Sequence, residues 1–185
     1  MSTEPEYTPD VLQKIETAKE KKAAGDAAFQ QKDLQKALLE YHSALLYLNG
    51  IHKNAMAAAM PGEPPSDEKK PRTEVEELIV KVYSNMSQCQ VQKGNWKKVI
   101  EYADKALEKD SSNVKALYRK ARALGEQGFL EKAEKIYNDL LPKADPKDKA
   151  KIQEDLARFR AEDKKREKQY QQKFKGFLNK DKTTD

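Results

Sequence analysis

Lys115 and Arg119 stand four residues apart in NVKALYRKA, so a helix through this segment carries two cations on one face with no acid between them. The segment KKAAGD sets Lys22 and Asp26 at the same spacing, and YSNMS supplies the amide of Asn85 nine residues before Gly94. Two lysines, an arginine and an amide are hydrogen-bond donors of the kind a carboxylate requires, and a guanidinium can take both oxygens of one carboxylate. Asp26 is the exception, because an ionised carboxylate only accepts. No catalytic constellation accompanies these residues. GxGxxG, GxxxxGK[ST], HExxH and GxSxG are absent, and His42 and His52 have no Cys or carboxylate at ligand spacing. The expectation is a protein that is not an enzyme and has no cofactor and no metal. His42 reads as an exposed or half-buried helix residue, Cys89 as a small packing residue and Trp96 as a core residue at a turn-to-helix corner.

The elements that must position the donors follow from composition and pattern. The 185 residues include 36 Lys and Arg against 31 Asp and Glu, a net charge of +5, and 37% hydrophobic residues. That is enough apolar area for one thin core. No run approaches the ~20 apolar residues of a membrane span, and MSTEPEYTPD has neither a basic nor an apolar leader region. Cys89 is the only cysteine, which agrees with a reducing compartment and excludes an internal disulfide. Cytoplasm, with the nucleus as the alternative, is the expected location. Seven Gly and eight Pro, clustered rather than scattered, leave too few turn signals for a β fold. The class is all-α. From Asp148 to Asp185 there are 12 basic and 8 acidic residues, so most of the excess charge lies in the tail, without interleaved aromatics in the EDKKREK run to stack bases.

A repeat organises the chain. Segments around Gly25, Gly94 and Gly128 share small residues and aromatics in register, and Gly94 and Gly128 are 34 residues apart. On that period Ala37, Val99 and Ala133 align, as do Tyr41, Ala103 and Tyr137, and Ala44, Ala106 and Leu140. Small residues at such positions let antiparallel helices approach closely, and each pair leaves an apolar face for its neighbour to cover. Thr8 with Pro9, Thr73 with Glu76, and Asp145 with Pro146 read as helix starts, giving seven helices. The last runs from about Pro146 to Phe177, with Ile152, Leu156 and Phe159 as a covering face, then a charged stretch, then an exposed patch of Tyr170, Phe174, Phe177 and Leu178. Between the first two repeats, NGIHKNAMAAAMPGEPPSDEKKPR at about 49–72 divides into a helix extension and a Pro-rich mobile loop.

In this register the chain resembles the tetratricopeptide repeat (TPR) family, whose unit is a 34-residue helix-turn-helix. The resemblance implies a helical solenoid with repeats at about 18–51, 80–113 and 114–147, an extension of the first helix at 1–17, a C-terminal capping helix at 146–178 and a disordered tail at 179–185. Gly25, Ser87 and Ala121 take the small position of the first helix of each repeat, and Lys32, Gly94 and Gly128 fall in the turns. Ala28 and Gln90 replace a usual aromatic, with looser packing expected there. The long insertion and the basic-aromatic tail look like the TPR domains of large immunophilins and, more closely, the tetratricopeptide repeat protein 9 family. The sequence outside the repeats is too short to hold an isomerase domain.

The resemblance also implies a partner. Lys22, Asn85, Lys115 and Arg119 match four positions of the dicarboxylate clamp of chaperone-binding TPR domains, which holds the EEVD-type C-terminal tail of heat shock proteins 90 and 70. Asp26 stands where the family has asparagine. At ~4 Å and an effective dielectric near ~20, its repulsion of a ligand carboxylate is roughly 4 kcal/mol before screening, so weaker binding than a full clamp is expected, with Lys22 placed to pair with the acid. The reading is therefore an adaptor or co-chaperone, with a second protein partner at Tyr170, Phe174 and Phe177, and with no nucleic acid expected. Two alternatives stay open: a TPR adaptor for an internal peptide of another partner, and a basic-tail binder of nucleic acid or a membrane surface.

Overall fold

The computed structural model describes residues 7–58 and 73–180, with the backbone alone for 52–58 and 176–180. Among the described residues there are seven helices and no strand: α1 (Pro9–Gln30), α2 (Leu34–Ala58), α3 (Glu74–Gln92), α4 (Trp96–Lys109), α5 (Val114–Glu126), α6 (Leu130–Leu140) and α7 (Pro146–Lys180). The chain forms two compact units, residues 1–119 and residues 120–185. Residues 1–6, the Pro-rich segment 59–72 and residues 181–185 lie outside the described residues, and so do the side chains of His52, Phe177 and Leu178.

In the first unit α1 packs on α2, α2 on α3, and α3 on α4. The register read from sequence is the register of the core: Ala37, Val99, Ala103, Ala44 and Ala106 have no exposed surface, and Tyr41 has 1%. Gly25 shows why the small position is needed. A Cβ there would lie 2.6 Å from Tyr41 Cε1, so the tyrosine ring rests directly on the α1 backbone. In the second helix pair Ser87 fills the same place, and its hydroxyl donates to the Val99 carbonyl at 3.3 Å. The turns are left-handed at Lys32 (φ 62°) and Gly94 (φ 66°). Glycine adopts that conformation freely, whereas Lys32 does so at a cost of about 1 kcal/mol.

Local capping explains where the helices begin. Thr73 and Glu76 form a reciprocal capping box, each accepting from the other's backbone N–H at 3.2 Å. Asn95 accepts from Lys98 N and Asn113 from Ala116 N, two caps the sequence reading passed over. Thr8 has the extended backbone of a cap and Pro9 the first helical position, but the Thr8 side chain makes no capping bond. Trp96, expected in the core, is only half-buried at the first residue of α4. Ala28 and Gln90, where looser packing is expected, are both buried, and the Gln90 amide oxygen lacks a partner.

In the second unit α6 packs on α7. Ala133, Tyr137 and Leu140 of α6 are buried, and so are Ile152, Leu156 and Phe159 of α7. Glycine again permits close approach, since a Cβ at Gly125 would collide with the Phe159 ring and one at Gly128 (φ 84°) with the Arg166 guanidinium. Tyr137 donates to Asp155 at 3.0 Å, and Arg158 joins Asp155 to Glu126. Asp145 caps α7 through Asp148 N at 2.8 Å. This helix continues to Lys180, three residues past the expected end at Phe177, so the expected disordered tail begins with helical backbone.

Candidate functional site

Helices α1 and α3 and the start of α5, as far as Arg119, supply the candidate donors, all within the first unit. On α1 the spacing of four brings Lys22 Nζ to 2.6 Å from Asp26 Oδ2. The other carboxylate oxygen accepts from the Tyr41 hydroxyl of α2 at 2.6 Å and from Asn85 Nδ2 of α3 at 2.8 Å. Asp26 is thus held by three donors from three helices. Burial, and then the bond to Asp26, push the Tyr41 pKa above the ordinary phenol range, so this hydroxyl stays protonated and remains a donor. Pairing of Lys22 with Asp26 is as the spacing predicts. The contribution of Tyr41 was missed, because its register position reads only as core. Tyr137, at the same register position, likewise donates to an aspartate.

Lys22, Asn85 and Lys115 line one open cavity of about 460 Å³, together with Lys81 and Ser84 of α3. Lys115 is exposed, and Lys81 is a fourth donor that the sequence reading did not select. A neighbouring cavity of about 280 Å³ is lined by Asp26, Tyr41 and Asn85, with Phe29, Gln30 and Gln88. Asn85 belongs to both.

Arg119 is placed differently from its sequence expectation. Its guanidinium turns onto α3, with Nε on Gln88 Oε1 at 2.8 Å and one terminal nitrogen on the Ser84 carbonyl at 3.1 Å and hydroxyl at 2.6 Å. Burial lowers its pKa, although an arginine remains a cation at any ordinary pH. The arginine therefore braces two cavity residues instead of facing the cavity as an open donor. The i,i+4 spacing put Lys115 and Arg119 on one side of α5, but half-buried Arg119 found its partners in the neighbouring helix first.

Converging ammonium groups and an amide can hold an anion between helices. Cys89 has no exposed surface, and burial pushes its thiol pKa up to about 11. Among the described residues no group of three metal-ligating side chains occurs, and no helix is long and apolar enough to cross a membrane.

Residues 83–158 match the tetratricopeptide repeat family. The chain carries the tetratricopeptide-repeat fold. Its structure is similar to the C-terminal TPR-containing domain of an FK506-binding protein of Plasmodium falciparum, with a TM-score of 0.64 at 22% identity over 88% of this chain and 97% of that one. It is also similar to the Hsp90 co-chaperone Cns1 of Saccharomyces cerevisiae, with a TM-score of 0.66 at 18% identity over 91% of this chain and 46% of the other. By sequence it is 36% identical over 106 residues to human zinc finger CCCH domain-containing protein 7B, a stretch that is 57% of this chain and 9% of that protein. In TPR terms the candidate donors lie on the first helix of each of the three pairs, and Tyr41 on the second helix of the first.

Proposed function

We propose that this chain is a TPR adaptor of the co-chaperone kind, without enzymatic activity, which captures the acidic EEVD-type C-terminal tail of heat shock protein 90 or 70 in a cytoplasmic setting. One observation carries the reading: Lys22, Asn85 and Lys115, from three different helices, line a single open cavity. Convergent cations and an amide bind paired carboxylates through charge-assisted hydrogen bonds. The likeness to a protein described as an Hsp90 co-chaperone supports the choice of partner. Titration of a labelled EEVD-type peptide is the test, with an amidated copy alongside it. Loss of binding on amidation is the expected result.

The placement of Arg119 favours a second reading. An arginine already bonded to Gln88 and Ser84 leaves the groove weaker at a terminal carboxylate, which suits an internal peptide of another partner. Binding that survives amidation would select it. A second protein partner is proposed at the tail of α7, where Tyr170 and Phe174 are exposed; Phe177, the third residue of that expectation, has its side chain outside the described residues.

A further inference from the structure

We propose that the cavity beside the lysine groove receives a basic side chain of the same peptide, with Asp26 as its counter-charge. The preferred ligand then carries both a terminal carboxylate and a lysine or arginine a few residues upstream. The proposal rests on the carboxylate reading above and deepens it.

The two cavities have opposite character. Three lysines, Lys22, Lys81 and Lys115, against one acid, Asp110, which accepts from Ser112 and Asn113 beside it, line the first, whereas Asp26 is the one charged residue among those lining the second. The rest of that second lining is two aromatic rings, Phe29 and Tyr41, and the amides of Gln30, Asn85 and Gln88. A carboxylate, aromatic faces and amide oxygens are what an ammonium or guanidinium requires. Because Asn85 lines both cavities, the groups that fill them belong to neighbouring residues of one ligand.

Lys22 connects the two. In the free protein its ammonium is on Asp26 Oδ2 at 2.6 Å, yet its side chain also lines the lysine groove. When a peptide carboxylate draws Lys22 away, Asp26 keeps Tyr41 and Asn85, both neutral donors, and its charge loses its cation. An all-acidic tail supplies nothing to replace it. A peptide with an upstream lysine places its own ammonium on Oδ2, so every charge keeps a partner throughout the exchange.

The test uses the full chain and an EEVD-type peptide, with lysine substituted in turn at each of the four positions before the terminal aspartate. Each peptide is titrated against the wild type and against Asp26→Asn, whose fold is checked by circular dichroism, and each is also made as its amide. One lysine position should tighten binding to the wild type by about threefold to fivefold. That gain should vanish in Asp26→Asn, while the unsubstituted peptide binds this variant more tightly than it binds the wild type. No gain at any position, or an equal gain in Asp26→Asn, overturns the proposal. The amides separate it from the reading beneath it. If amidation abolishes binding while lysine adds nothing, the Asp26 cavity alone is refuted; if amidation is harmless, the carboxylate reading falls, and with it the two-charge ligand.

Discussion

Asp26 accepts from the ammonium of Lys22 and the amide of Asn85, at a position where the proposed clamp calls for a donor. Asp26→Asn retains a carbonyl for the Tyr41 hydroxyl and removes one negative charge, so binding of an EEVD-type peptide should tighten by about threefold to tenfold in a titration. Weaker binding would mean that the acid acts by orienting Lys22. The two α5 cations differ in what they do for the free protein. Lys115 is exposed, so Lys115→Ala should weaken peptide binding by about 1–3 kcal/mol and leave the melting temperature unchanged. Arg119→Ala removes bonds to Gln88 and Ser84 and should lower affinity and melting temperature together. His42 makes a separate prediction. Burial first, then Lys105 and Lys98, hold its pKa below the ordinary 6.5, and its ring lies 3.3 Å from the Tyr102 hydroxyl. The folded state thus favours the neutral ring and the unfolded chain takes up the proton more readily. Stability from this group is present above pH ~6.5 and is lost as pH falls through it. Melting scans between pH 7.5 and 5.5 should show a smaller drop for His42→Gln than for the wild type.

At the level of the helices, close contact between α1 and α2 builds the site as well as the core. The Tyr41 ring lies on Gly25, and its hydroxyl reaches Asp26. A ring with 1% exposure has no room to retreat from an added methyl group, so Gly25→Ala should cost about 1–3 kcal/mol in chemical denaturation and loosen the anchor of Asp26 at the same time. An unchanged midpoint would show that the helices can part without loss. Such contacts explain how far the sequence is legible. The repeat period gives helix number and core positions, because burial of small residues at fixed spacing is a local pattern. The family resemblance places Lys32, Gly94 and Gly128 in turns, and the Thr-x-x-Glu spacing marks the capping box at Thr73. Where a long side chain ends is decided by neighbours distant in sequence. Asn85 meets Asp26 across 59 positions and Arg119 meets Gln88 across 31, and neither pairing has a local signature. Trp96 is less buried than its type suggests for a related reason, since residue type alone does not say whether a neighbour covers a ring; Thr8 and Pro9 do start α1 as read, without a side-chain capping bond.

Across the whole molecule, charge and burial divide at α7. Its buried apolar face ends at Phe159, and beyond it Arg160 pairs with Glu134 while Arg166 lies over Gly128. Past Lys168 the described side chains are exposed, including Tyr170 at 71%. A helical end without a packed face contributes little to folding, because helix propensity alone is marginal in water. A chain ending at Lys168 keeps Ile152, Leu156, Phe159 and the arginine contacts, and every candidate groove residue lies before residue 120. Such a truncation should therefore melt within about 2 °C of the full chain and bind the EEVD-type peptide with unchanged affinity. Any partner gripped by Tyr170 and Phe174 should be lost, whereas a nucleic acid or vesicle held by the basic tail should stay, because the EDKKREK run is kept, and should be lost only from a chain ending at Phe159. A fall in peptide affinity would make the end of α7 part of the groove, and a large drop in melting temperature would show that this exposed helix covers apolar surface elsewhere.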